Sequence, residues 1–290
     1  PYFREYLRKT LQAKEPKRKN YASWQLKPYG QYYLDSLEWE NNPLYGWIEK
    51  NPKADGSKYD IYHDGLKIYT TIDARMQRYA EQAVEDHFTD MQAKFMKTLK
   101  YKKNPPFANN TTQEDVDRSL NQAMRQCDRY RMLKKQKLSD TEIRENFNTP
   151  VEMTVFSYAG PIDTLMTPMD SIRYHKAFAR CGMMSMDPLT GHVKAYIGGP
   201  DFTYFQYDMV NQGRRQVGST IKPYLYSLAM SEGYWPCDTT TNQPITLYDK
   251  LGREFTPRND SQKQLGETVT LRWGLQNSNN WITAYLMSLL

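Results

Sequence analysis

A hydroxyl and an amine stand three residues apart in "GRRQVGSTIKPYLY", residues 213–226, as Ser219 and Lys222. Residues i and i+3 share one face of a helix, so in helical conformation the Lys222 amine can approach the Ser219 hydroxyl. A lysine whose pKa is lowered by its surroundings can take the serine proton and leave an alkoxide-like nucleophile. Pro223 has no amide hydrogen, which costs little only in a helix's first turn, so the helix through "YLYSLAM" is predicted to start close to Ser219. The positive end of that helix would face a developing oxyanion, and Gly218 would let a carbonyl come close to the backbone. The same glycine spacing imitates a phosphate loop. That reading fails on chemistry, because the lysine must directly follow the second glycine to reach the β- and γ-phosphates, and Ser219 occupies that position.

Ser-x-x-Lys turns up by chance roughly once in a chain of average residue usage and this size, so its company decides its meaning. The plain alternative is a serine cap followed by a solvated lysine. Fifty-nine residues downstream, "LRWGLQNSNNW" holds Ser278-Asn279-Asn280 ahead of an apolar, helix-like run. A second hydroxyl and a carboxamide suit proton relay and substrate anchoring. Ser119-Leu120-Asn121 repeats the triplet without such a context, so order and surroundings carry the signal.

The elements that must position these groups are legible to different degrees. The 290 residues, 39% hydrophobic and 25% charged, suffice for one large or two ordinary domains, and no stretch approaches the ~18 apolar residues of a membrane span. Residues 1–60, rich in Tyr, Trp, Pro, Asn and Lys, read as an extended connector whose aromatics pack on a neighbour. "GLKIYTTID" (65–73) alternates as a strand. A long helix follows, with Asp73 as its N-cap and Met76, Ala80, Ala83, His87, Met91 and Phe95 as its core stripe. Residues 100–150 read as a peripheral helical insertion with helices near 112–136 and 140–146. "CGMMSMDPLTGHVKAYIGG" (181–199) is a β-hairpin turning at Asp187–Gly191, with Val193, Ala195 and Ile197 on one side. The opening "PYFREYLRK" has no initiator methionine or signal segment and reads as the start of an excised piece.

Other functions find little support. The net charge is +6, but the basic residues cluster only loosely, at 94–103 and 125–137, with acids close on either side, the pattern of solvated helix faces rather than a nucleic-acid surface. Cys127, Cys181 and Cys237 lie 54 and 56 residues apart, which excludes a zinc ribbon or finger and leaves one disulfide or three thiols open. His63, His87, His175 and His192 are isolated. No metal or other cofactor is expected.

The run "MDPLTGHVKAYIGGPDFTYFQYDMVNQGRRQVGSTIKPYLYSLAMSEGYWPCD", with "REFTPRND" and "VTLRWGLQNSNNWITAYLM", resembles the transpeptidase domain of class A (bifunctional) penicillin-binding proteins. "PYFREYLRK" and "DGLKIYTTIDARMQRYAEQAV" are similar to the segment joining glycosyltransferase and transpeptidase domains in that family. The resemblance implies the α+β fold shared by penicillin-binding proteins and serine β-lactamases, C-terminally truncated. It further implies a connector over 1–60, a linker strand, long helix and insertion over 61–180, and the first part of the transpeptidase domain over 181–290. Ser219 would attack the D-Ala-D-Ala carbonyl of a peptidoglycan stem peptide, with Lys222 as base. Ser278 would shuttle protons, while Asn280 and Gly218 would face substrate. An amine of a second stem peptide would resolve the acyl-enzyme, and β-lactams would acylate Ser219. The parent would be anchored in the inner membrane with this part on its periplasmic face, among the cell-wall synthesis machinery.

Two departures stand out. Asn279 fills a position where the family has Asp, and no Lys-[Ser/Thr]-Gly occurs in the 290 residues. Because that element supplies part of the oxyanion hole, and one lost donor costs about 2.7–4 kcal/mol, the piece alone is expected to be inactive. A serine β-lactamase or penicillin sensor of the same fold, or a non-catalytic cell-wall binding module, are the rival readings.

Overall fold

The computed structural model describes residues 1–249 and 251–290, which divide into two compact units, Pro1–Gly213 and Arg214–Leu290. The architecture is mixed α+β, and its strands pair only two at a time, as four antiparallel ladders among the described residues.

The first unit opens with helices α1 (Tyr2–Leu11), α2 (Gln31–Asn41) and the short α3 (Trp47–Lys50), where the sequence suggested extended chain. A sustained apolar period was missing because α2 buries no residue and α1 buries only Tyr2, Thr10 and Leu11. Tyr2 does most of the anchoring of α1. Its ring lies against Gly198 and its hydroxyl end against Gly199, leaving no room for a β-carbon at either, and its hydroxyl donates to the Phe205 carbonyl at 2.5 Å.

Residues 65–73 form no strand, contrary to their alternation. They run beside β4 (Val193–Ile197) and reach it through Thr71 Oγ1 to the Val193 carbonyl, 2.7 Å, and Asp73 N to the Lys194 carbonyl, 2.9 Å. Two bonds do not make a ladder. Helix α4 (Ala74–Leu99) starts where expected, the Asp73 carboxylate accepting from Arg75 N and Met76 N. Its buried face, however, is rotated from the expected stripe. Ala80 and Val84 pack on Ala195 and Ile197 of β4, while Met76 and Phe95 are exposed and Leu99 is buried. The reason is polar. Gln77 lies on this face and holds Tyr196 N and O, and buried Gln92 bridges the Ala177 carbonyl and Ala179 N, both at 2.9 Å.

Beyond α4, helices α5 (Gln113–Gln126), α6 (Asp128–Lys135) and α7 (Asp140–Asn148) fill the segment expected to be helical. Thr112 caps α5, and Ser139 with Glu142 forms a capping box on α7. Met124, Ile143 and Phe147 make their core, against Met169 and Ile172 of α8 (Pro168–Lys176). The hairpin β1 (Val151–Val155)–β2 (Ile162–Met166) precedes α8. Phe156, Phe178 and Phe205 then gather an aromatic cluster with Tyr158, Tyr174 and Tyr204.

The expected hairpin forms from β3 (Met183–Met186) and β4. Asp187 Oδ1 accepts from Leu189 N and Thr190 N, and Gly191 at φ +70° completes the turn. Ala195 and Ile197 are buried as the alternation requires.

The second unit contains α9 (Lys222–Ser231), α10 (Leu271–Gln276), α11 (Asn280–Leu289) and the strands β5 (Thr239–Thr241), β6 (Leu247–Tyr248), β7 (Glu254–Phe255) and β8 (Thr268–Thr270). Strand β5 pairs with β8, and β6 with β7. Tyr226 and Ala229 of α9, Val269, Leu271, and Ile282 and Leu286 of α11 form one apolar core, which fixes α9 and α11 side by side. No helix of the described residues is long and apolar enough to cross a membrane.

Candidate active site

Ser219 lies in a 3₁₀ turn, Gly218–Ile221, that runs directly into α9. Pro223 occupies the first turn of α9, so the start of the helix falls where the missing amide is harmless. Gly218 has φ +53°, and an added β-carbon would meet nothing within 4 Å. Its requirement is therefore conformational: the turn enters through left-handed backbone, and the space beside it is open.

The second motif is built from a helix junction. Helix α10 ends at Gln276, and Ser278 follows in left-handed conformation, φ +50°. Ser278 N and Asn279 N close the helix by donating to the carbonyls of Leu275 and Gly274, at 3.0 and 2.8 Å, a left-handed C-terminal closure. Asn279 then caps α11, its Oδ1 accepting from Ile282 N at 3.0 Å. Asn280 is the first residue of α11. The three residues thus end one helix, cap the next and begin it.

Lys222 joins the two motifs. It is only 4% exposed, and its Nζ donates to Ser278 O (2.5 Å), Ser278 Oγ (3.1 Å) and Asn280 Oδ1 (2.6 Å). Three acceptors match the three donors of an ammonium group. Burial pushes the Lys222 pKa below the ordinary lysine value of 10.5, and the negative charge of Asp260 acts the other way. A buried amine with a lowered pKa gives up its proton more readily than a free lysine, and the neighbouring Ser278 hydroxyl is a group with which it can share one.

Lys222, Ser278 and Asn280 are therefore brought together, as their types suggested. Ser219 is exposed, and among the described residues no hydrogen bond joins its hydroxyl to Lys222. Asn280 is also more occupied than expected: its Nδ2 donates to the Arg258 carbonyl (2.7 Å) and its backbone N to Asn259 Oδ1 (2.6 Å), while Trp281 Nε1 donates to the Pro257 carbonyl (2.9 Å). Residues 257–259 thus brace the start of α11, a role the sequence quoted as "REFTPRND" did not disclose. Asn279 faces inward and is 6% exposed, so its departure from Asp affects a cap rather than the open side of the site.

Among the described residues, no group of three or more His, Cys, Asp or Glu is placed to hold a metal ion. Cys127, Cys181 and Cys237 are free thiols, which resolves the pairing the sequence left open.

Comparison with known proteins follows the same line. Residues 102–179 match the family described as penicillin-binding protein middle domain, and residues 181–288 match the penicillin-binding protein transpeptidase domain. The segment read as an insertion thus falls largely within a recognised domain. Penicillin-binding protein 1A of Rickettsia bellii is 26% identical over 259 residues, covering 79% of this chain and 30% of that protein. Penicillin-binding protein 1A of Escherichia coli is 36% identical over 106 residues, covering 36% of this chain and 12% of that protein. The crystal structure of penicillin-binding protein 1A from Haemophilus influenzae aligns with 92% of this chain and 42% of that one, at 18% identity and a TM-score of 0.42. The chain spans between 12% and 31% of the length of the curated relatives it matches.

Proposed function

Because the chain belongs to the penicillin-binding proteins, carrying their middle-domain and transpeptidase-domain sequence, we propose that it supplies the acylation centre of a peptidoglycan D,D-transpeptidase. Ser219 is the nucleophile. Its hydroxyl adds to the D-Ala-D-Ala carbonyl of a stem peptide, its proton passes to the Lys222 amine, and the C–N bond to the terminal D-Ala breaks as that amine is protonated through Ser278. The resulting ester is resolved by an amine of a second stem peptide, which forms the crosslink and returns Ser219 to its starting state. Asn280 anchors the substrate amide, and Gly218 leaves the approach to the turn open. The reading places the site on the periplasmic face of the inner membrane, in a membrane-anchored protein.

The observation that carries this reading is the buried Lys222 Nζ held by Ser278 Oγ and Asn280 Oδ1. Residues 56 and 58 positions away from the lysine converge on its amine, which a solvated lysine after a serine cap would not require.

The test is covalent labelling of the natural gene product by a fluorescent penicillin. Labelling should vanish in Ser219→Ala. Its rate should rise with pH to a midpoint below 10.5, the ordinary lysine value from which burial lowers Lys222, because the neutral amine is the base. Labelling that survives Ser219→Ala would refute the assignment. Turnover of a chromogenic β-lactam, instead of a lasting adduct, would favour a β-lactamase.

A further inference from the structure

Among the described residues of the second unit, Asn242 is the one fully buried carboxamide, 0% exposed, and every polar group it owns is engaged. Its backbone N donates to the Glu267 carbonyl (2.9 Å) and its carbonyl accepts from Gly266 N (2.8 Å). Its Nδ2 donates to the carbonyls of Lys263 (2.9 Å) and Gln264 (3.0 Å). Its Oδ1 accepts from Asn279 Nδ2 at 2.8 Å. The first four bonds close the base of the excursion between β5 and β8. The fifth ties that base to the residue between Ser278 and Asn280. The same excursion carries residues 257–259, which hold Asn280 and Trp281 from the other side.

We infer that Asn242 is a positioning residue for the acylation centre, acting through Asn279 to fix where Ser278 and Asn280 meet the Lys222 amine. The inference rests on the proposed function of that centre. Asn242 touches neither Lys222 nor the open side of the site, so its effect is transmitted. Asn279 must keep its amide nitrogen on Asn242 and its oxygen on Ile282 N at once, which sets the rotation of the junction between α10 and α11. Loss of the Asn242 oxygen leaves a buried Asn279 amide without an acceptor, and the junction must turn to satisfy it. Such a turn displaces Ser278 and Asn280, which supply all three acceptors of Lys222, and admits water to an amine that is now buried.

The experiment measures fluorescent-penicillin acylation of the natural gene product across pH, for the parent, Asn242→Ala and Asn279→Asp. The second variant keeps a good N-cap for α11 but presents oxygen to oxygen at Asn242. A displacement of about 1 Å in a reacting constellation costs up to about 100-fold, so both variants should acylate about 10- to 100-fold more slowly. Their basic limb should also move up, toward the ordinary lysine value, as Lys222 regains solvent. Thr112→Ala, which removes the cap of α5, serves as the control: it lowers stability and leaves the pH profile in place. Folded variants whose rates and pH profiles superpose on the parent's overturn the inference while the function stands. If Asn242→Ala does not fold, Asn279→Asp decides. A parent that is never labelled at Ser219 overturns the function and, with it, the role given to Asn242.

Discussion

Ser278 holds left-handed backbone, φ +50°, without being glycine, and the cost of that choice can be measured. Ser278→Ala and Ser278→Gly both remove the hydroxyl and its 3.1 Å bond with Lys222, so they lose that interaction equally. They differ in backbone. A side chain with a β-carbon costs roughly 1–2 kcal/mol in left-handed conformation, whereas glycine adopts it freely and gives back about 0.4–1 kcal/mol through the greater freedom of the unfolded chain. The glycine variant should therefore be more stable than the alanine variant by about 1 kcal/mol. With a urea dependence of about 1–3 kcal/mol per molar, the two midpoints should separate by roughly 0.3–1 M. Urea denaturation of the two proteins side by side, followed by circular dichroism, reads this directly. At a position with negative φ the order reverses, so an alanine variant as stable as the glycine one would refute the left-handed assignment. Penicillin labelling of the same pair separates backbone from chemistry. Both should be equally slow, and a glycine variant labelled at the parental rate would remove Ser278 from the proposed proton relay.

Two further predictions concern the first unit. His175 donates from Nδ1 to the Ser171 carbonyl and accepts at Nε2 from Phe156 N, so it is held neutral, and burial, assisted by the charge of Arg180, keeps its pKa below 6.5. Below that pH the unfolded chain binds the proton first; stability should fall as pH drops from 6.5, by at most about 1.4 kcal/mol per pH unit, and His175→Gln should flatten that slope in urea titrations between pH 7.5 and 5. Gln92→Leu strips partners from the Ala177 carbonyl and Ala179 N, and buried orphans cost about 1–3 kcal/mol each. A loss of about 2 kcal/mol or more is expected by thermal or urea unfolding, against a change within about 0.5 kcal/mol for exposed Gln82→Leu; equal effects would show that the bridge contributes nothing.

The parts of the fold that were legible depend on local chemistry. Asp73 caps α4 because its carboxylate reaches two amides of its own first turn, and Asp187 turns the β3–β4 hairpin in the same way. Pro223 marked the start of α9 through what it lacks. The illegible parts depend on partners far along the chain. The face of α4 was misplaced because Gln77 and Gln92, polar by type, are spent on strand and loop backbone 85 to 119 residues away. Residues 65–73 alternate like a strand, but β4 gives them two bonds and no register. At the candidate site, Lys222, Ser278 and Asn280 meet as their types and order suggested, while their roles, and that of Ser219, come from the family resemblance. Asn242 and Asn259 were invisible, since nothing in a lone asparagine reveals the neighbour 37 or 21 residues on that will require it.

The closed base at Asn242 also bears on where this chain can tolerate change in length. A flexible loop whose ends are already joined loses only about 0.6 kcal/mol when its length doubles. Because Asn242 meets Gly266 and Glu267 directly, residues added around the β6–β7 hairpin would enlarge a ring that is already shut, without pulling on α10 or α11. The stretch 257–259 has no such freedom, since it is fastened to Asn280 and Trp281. One half of the excursion is a place where the protein can grow a new surface, and the other half is part of the frame.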